Sequence, residues 1–209
     1  MDSILFVFKL IVLVFSVVIH EISHGFVAER FGDPTARRAG RLTLNPIKHI
    51  DPFGSIILPL LMAIIPGGVV FGWAKPVPIN PRNFRNPDRD TAIVSAAGPL
   101  SNITLAFVFG IFIRILSAGS ITNWSTALIG LFSIIVITNS ALAIFNLVPI
   151  PPLDGSGVLF AFLPSSMYGV RRFLEQYGVI IFFAFVFFGF DLIIPIILWV
   201  FRMFSGILV

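Results

Sequence analysis

The stretch VVIHEISHGFVAE, residues 17–29, places two histidines and a glutamate at the end of an apolar run that begins at Ile4 and is interrupted only by Lys9. A run of this length suffices for a membrane-spanning helix, which needs about 20 residues. Each ionisable side chain inside such a helix costs about 2.5–3.5 kcal/mol or more, so a cluster of them is read as functional by default. On a helix, positions i and i+4 share one face, so His20 and His24 can aim both rings at one ion about 2 Å from each nitrogen. Glu21 projects beside them. In zinc hydrolases with the HExxH pattern, that glutamate is the general base for a water that the metal has made acidic.

The rest of the chain has the same character. Of its 209 residues, 57% are hydrophobic and 11% charged, and the mean hydropathy is +1.00; an ordinary globular domain carries about 25% charged residues. This is the composition of a polytopic membrane protein. The net charge of +4 does not point to nucleic acid, because basic excess in a membrane protein records topology. With no cysteine, a disulfide framework and thiolate ligands are excluded, and any metal must use histidine and carboxylate. The first apolar run lacks an A-x-A-like cleavage site and continues into HExxH, so it is read as a retained helix and not a signal peptide.

The expected fold is all-α and polytopic, a single membrane-embedded domain over residues 1–209 with about five transmembrane helices and a re-entrant segment. Core spans are expected at about 4–28, 91–118 and 126–148, and C-terminal spans at 173–190 and 192–209 with Asp191 at the outer turn between them. The run 53–71 is broken by Pro59 and by Pro66-Gly67-Gly68. Nine of the fourteen basic residues, from Arg30 to Arg89, flank it on both sides. The positive-inside rule puts both flanks in the cytoplasm, so residues 53–80 are expected to enter and leave by one face. Non-helical backbone at membrane depth is tolerated where it is covered by protein or lines a wet cavity. On this topology His20, Glu21 and His24 lie in the inner half of the first span.

A catalytic zinc takes three protein ligands and keeps one position open. Val27 and Arg30 stand where a metzincin would need Gly and His. Glu29 and Asp33 follow too closely along the exit from the membrane to fold back easily, and His49 and Asp51 sit in the basic loop. Asp154 follows NLVPIPPLDG, where Pro149, Pro151 and Pro152 forbid a continuing helix and Gly155 allows a sharp turn. The chain descending through 126–148 arrives at the level of His20, and a carboxylate there can complete a His-His-Asp site.

HEISH in one span, AAGPLSN at the start of another and NLVPIPPLDG after a third resemble the site-2 protease family of intramembrane zinc metalloproteases, over about residues 15–160. NPIKHIDPFG and FGWAKPVPINP resemble a compact bacterial or archaeal branch without PDZ or CBS domains. The resemblance implies zinc as cofactor, His20, His24 and Asp154 as its ligands, and Glu21 as base. It implies hydrolysis of a transmembrane protein or peptide within the lipid bilayer near the cytoplasmic face of a prokaryotic cell membrane. Asn146 matches an asparagine eight positions before the aspartate that steadies the substrate or its oxyanion. The sequence leaves room for a homo-oligomer. A prenyl-protein type of membrane protease would need a third-ligand glutamate, and only Glu175 follows Glu29. A metal transporter or a scaffolding pseudoprotease is the non-enzymatic alternative, though a transporter should spread its ligands along a path.

A helical substrate must be unwound before its carbonyls can be attacked. The stretch GGVVFGWAKPVPIN, residues 67–80, offers β-branched and aromatic residues before Pro76 and Pro78, as a short edge strand or hairpin would. Val69, Val70 and Phe71 are therefore expected to bind substrate backbone to backbone, with Asn102 as a further substrate contact. Buried amides such as Asn102 and Asn146 serve as interhelical hydrogen-bonding groups as readily as catalytic ones.

Overall fold

The computed structural model describes residues 3–57, 61, 72–119 and 123–207, the side chains of residues 56, 123 and 165 excepted. Its first element is α1 (Ser3–Arg30). Phe6, Leu10, Ile11, Val14 and Phe15 are exposed on it, while Val18, His20, Ile22 and His24 are buried. An apolar surface around a polar interior is the inverse of a soluble helix and belongs in lipid. The helix ends at Gly32, whose φ is +101°. There the Asp33 N–H reaches back to the Ala28 carbonyl at 3.0 Å, a closure that a left-handed glycine permits.

A single turn, α2 (Thr35–Arg38), leads into a loop that carries His49. The long helices α3 (Pro87–Ala118) and α4 (Asn123–Asn146) follow. Proline at the first position and Asp88 and Asp90 in the first turn of α3 suit a helix N-terminus. Together α1, α3 and α4 form the body of the protein. At the far end of α3 and α4, buried Ala106, Ile113 and Val136 pack with Phe201. At the other end Ala28, Val94 and Phe84 form a second cluster. The polar centre lies between them.

After α4 the proline turn delivers α5 (Asp154–Phe162), followed by α6 (Tyr168–Ala184) and α7 (Ile194–Ser205). Four described stretches are long and apolar enough to cross a membrane: Ser3–Arg30, Pro87–Ala118, Trp124–Asn146 and Tyr168–Leu192. The expected fifth span, 192–209, is a helix of 12 residues, about 18 Å long at 1.5 Å per residue and short of the ~30 Å hydrocarbon core.

The expected outer turn at Asp191 is also corrected. The Phe190 ring lies 6.2 Å from that of Phe145, at the end of α4 that leads to Asp154. From there α7 runs away from the site, until the Arg114 guanidinium meets the carbonyls of Met203 and Phe204. Since α6 starts with Arg171 near Asp88, at the start of α3, α6 and α7 advance in the same sense and do not form two antiparallel crossings. The large aromatic side chains around Phe145 hold the break there.

Among the described residues there is no strand. Val69, Val70 and Phe71 lie outside the described residues, as does most of 58–71. The flanks of that stretch meet: the Trp73 N–H donates to the Gly54 carbonyl at 3.1 Å, and the Ser55 hydroxyl donates to the Trp73 carbonyl at 2.7 Å.

Candidate metal centre

His20 and His24 face α3, as the i, i+4 spacing dictates. Their Nε2 atoms lie 3.1 Å apart, and Asp154 Oδ2 stands 3.0 Å from the first and 3.3 Å from the second. Four ligands about 2.0–2.1 Å from a tetrahedral zinc stand about 3.3 Å from one another. The three atoms thus have the spacing of three corners of such a tetrahedron, and they are a group that could hold a metal ion. Asp154 Oδ2 is buried and lacks a hydrogen-bond partner. The Nδ1 atom of His24 lies 2.7 Å from the Val94 carbonyl; a carbonyl only accepts, so Nδ1 carries the proton and Nε2 presents a lone pair. An orphaned carboxylate oxygen beside such a lone pair calls for a cation between them, which suits a His-His-Asp donor set.

Space for that cation comes from Gly98, in the AAGPLSN stretch. A Cβ at this position would stand 2.6 Å from His20 Nε2 and closer still to His24 Nε2. Gly155 is required for another reason: a Cβ there would collide with the Leu147 carbonyl, so only glycine lets the turn after α4 bring Asp154 back under the histidines.

The centre opens onto a cavity of about 620 Å³ whose lining includes Glu21, Asn146, Asp154, Trp73 and Val77. Glu21 is aimed into it, and its carboxylate accepts the Val77 N–H at 2.8 Å. Asn146, the last residue of α4, donates from Nδ2 to the Leu142 carbonyl at 2.9 Å and also faces the cavity.

Asn102 is placed differently from the substrate contact expected for it. It is fully buried, with its Oδ1 atom 2.6 Å from His20 Nδ1, so it acts behind the histidine. Asn139 and Ser16, which the sequence reading did not select, surround it. Asn139 was detectable by the logic that selected Asn102, as an amide within the apolar run IIVITNSALAIF. His49 is buried away from the centre; its Nε2 is 2.9 Å from the Thr43 carbonyl, and its own carbonyl accepts the Lys75 N–H at 2.9 Å.

Residues 72–80 form a strap along the cavity, tied on one side. Trp73 is bonded to Gly54 and Ser55 through both backbone groups. Lys75 donates to His49 and accepts from the Arg41 guanidinium at 2.7 Å, and Val77 donates to Glu21. In an extended chain the backbone groups of alternate residues point to opposite edges, so the odd-numbered residues 73–77 secure one edge of the strap.

A multi-helix membrane protein with a buried, metal-competent His-His-Asp group beside a glutamate has the parts of a membrane metallopeptidase. The chain belongs to peptidase family M50, the site-2 protease group, whose model matches residues 8–121 and 112–189. It is 42% identical over 179 residues to "Putative zinc metalloprotease YwhC" of Bacillus subtilis (strain 168), covering 84% of this chain and 78% of that one. "Putative zinc metalloprotease Rip2" of Mycolicibacterium smegmatis is 32% identical over 176 residues, covering 79% of this chain and 61% of its own length. "Putative zinc metalloprotease MJ0611" of Methanocaldococcus jannaschii is 31% identical over 154 residues, covering 74% and 70%. No solved structure matches the chain.

Proposed function

We propose that this protein is an intramembrane zinc endopeptidase that cleaves transmembrane protein or peptide substrates, with His20, His24 and Asp154 holding the metal and Glu21 serving as general base. The observation that carries the reading is the convergence of those three ligand atoms, 3.0–3.3 Å apart, on a cavity that Glu21 enters. Zinc held there would supply the acidity of the attacking water and polarise the scissile carbonyl. Glu21 takes the proton and passes it to the leaving amine. Its bond from the Val77 N–H keeps the carboxylate turned toward the strap side of the cavity. Asn146 spends one amide hydrogen on Leu142 and has the other for the substrate's developing oxyanion.

The strap gives the substrate a place to lie. Its odd-numbered residues are secured, while the backbone groups of Ala74 and the Pro76 carbonyl, on the other edge, bond to none of the described residues. An unwound substrate segment can pair there backbone to backbone, which moves the expected pairing edge from 69–71 toward 72–76. The bonded ends at Gly54 and Trp73 support a segment that enters and leaves the membrane by one face. The nine basic residues from Arg30, the last of α1, to Arg89, in the first turn of α3, support a cytoplasmic position for that face and for the site.

The transporter reading requires ligands along a path, whereas His20, His24 and Asp154 converge at one depth. The test is cleavage together with metal content. Glu21→Gln should lower turnover roughly 10²–10⁴-fold with zinc retained, and Asp154→Ala should lose both. Full zinc occupancy in Asp154→Ala, or normal cleavage by Glu21→Gln, refutes the assignment.

A further inference from the structure

Three buried polar residues lie behind His20, one from each of the main helices: Ser16 on α1, Asn102 on α3 and Asn139 on α4. Asn102 and Asn139 are 0% exposed and Ser16 is 4% exposed. None of them lines the cavity. The chain of hydrogen bonds has one self-consistent direction, which starts at backbone carbonyls, groups that only accept.

Asn139 Nδ2 faces the Ile135 carbonyl at 2.9 Å and Ser16 Oγ at 2.9 Å. A flipped amide would set oxygen against the Ile135 carbonyl, so Nδ2 belongs there and Oδ1 must face Asn102. Asn102 Nδ2 meets that Oδ1 at 2.8 Å and the Ser16 carbonyl at 3.2 Å. Both of its amide hydrogens are then used, and its Oδ1 is left facing His20 Nδ1 at 2.6 Å. An amide oxygen can only accept, so His20 Nδ1 must carry a proton, which leaves Nε2 as the ring nitrogen that can face a metal together with Asp154 and His24.

We infer that Asn139, acting through Asn102, is a positioning residue that sets the tautomer and ring orientation of His20. The two histidines reach the same protonation pattern by different routes. His24 relies on a main-chain carbonyl, Val94, which no substitution removes. His20 relies on two side-chain amides, and its readiness to bind metal is therefore set by a helix that contributes no ligand. Partners of this kind typically contribute about 10–100-fold to metal affinity.

The inference rests on the metal-site reading above, but its test does not require proteolysis. The chain contains three histidines, His20, His24 and His49, so ring-nitrogen NMR of ¹⁵N-histidine-labelled, metal-free protein can resolve each one. His20 should show an Nδ1 proton with the low-field shift of a strong hydrogen bond. In Asn139→Leu that shift should move upfield as the bond to Asn102 loosens, with cobalt or zinc affinity lowered roughly 10–100-fold, while His24 keeps its wild-type pattern and His49 reports an intact fold. Asn139→Ser retains one hydroxyl and carries the same test if the leucine variant does not assemble. A His20 Nδ1 proton that keeps its wild-type shift in an assembled variant, at unchanged metal affinity, overturns the inference. Because the Nδ1 proton is read without metal or substrate, a normally active Glu21→Gln enzyme would refute the protease mechanism and leave this result standing.

Discussion

The two walls of the cavity are held by opposite means. On one side α1, α3 and α4 are joined by side chains: His20, Asn102, Asn139 and Ser16 form a chain with no exposed member. On the other, the strap 72–80 is held largely through backbone groups, at Trp73, Lys75 and Val77. Side-chain networks fix where individual atoms point, as a metal centre demands. Backbone bonding along one edge fixes the path of a chain and leaves its other edge open to any sequence that can extend beside it. The helix wall thus suits one ion, and the strap suits a substrate recognised by its main chain.

The largest effect should come from breaking the helix wall at Gly98. Gly98→Ala places a methyl group 2.6 Å from His20 Nε2, where both ligand nitrogens and the ion need room. Alanine is favoured over glycine in a helix by about 1 kcal/mol, so the metal-free fold should survive. Metal binding and cleavage should be lost together. Metal content and thermal melting measured on the same preparation check this; a variant that holds zinc normally would show that the histidines can retreat and the wall is soft.

The next test crosses from one wall to the other at Val77, where the strap touches the base. Val77→Pro removes the N–H that Glu21 accepts. A hydrogen bond to a charged group contributes about 1.5–3 kcal/mol, so turnover should fall roughly 10–100-fold with zinc unchanged. Val77→Thr retains the N–H and a similar shape and should stay near wild type. Equal activity in the two variants would mean that the strap does not orient the base.

The walls also differ in how legible they were. HEISH announces a helix face with two ligands because the helical period is rigid and ionisable groups in lipid need a reason. Asp154 was reachable from the prolines before it, which end α4 and bring the chain back at a known depth. The role of Asn102 was not, because an amide in a span gives no sign of its direction until its neighbours on other helices are known; only packing brings Asn139 and Ser16 to it. Gly98 stands within the AAGPLSN stretch, yet its need for an open Cβ position depends on how closely α1 approaches α3. The turn at Asp191 was misread for a related cause: two apolar stretches separated by a polar residue look like a hairpin of spans, and the aromatic contacts that hold the break against Phe145 are long-range. The strap lacks helical periodicity, so its secured edge became visible only through partners far away in sequence.

The smallest effect is expected where the strap ends, at Asp33. This carboxylate is fully buried and accepts from the Asn80 N–H at 2.7 Å, Asn83 Nδ2 at 2.7 Å, the Thr35 N–H at 3.1 Å and the Thr35 hydroxyl. Burial alone would raise its pKa, but the hydrogen bonds from Thr35, Asn80 and Asn83 prevail and hold it below the ordinary carboxylate value. A group depressed on folding contributes stability that is fully present above its unfolded pKa of about 3.9 and is lost as pH falls through the folded value. Asp33→Asn replaces one accepting oxygen with a donor that faces other donors, and should lower stability by about 1–3 kcal/mol near pH 7. Metal content should be unchanged, because Asp33 lies outside the centre. Melting curves in detergent from pH 7 down to about 3 would show the wild type approaching the variant only at the acid end, where the wild-type carboxyl takes up its proton. Identical melting at pH 7 would mean that the strap needs no anchor at this end and is held by Trp73, Lys75 and Val77 alone.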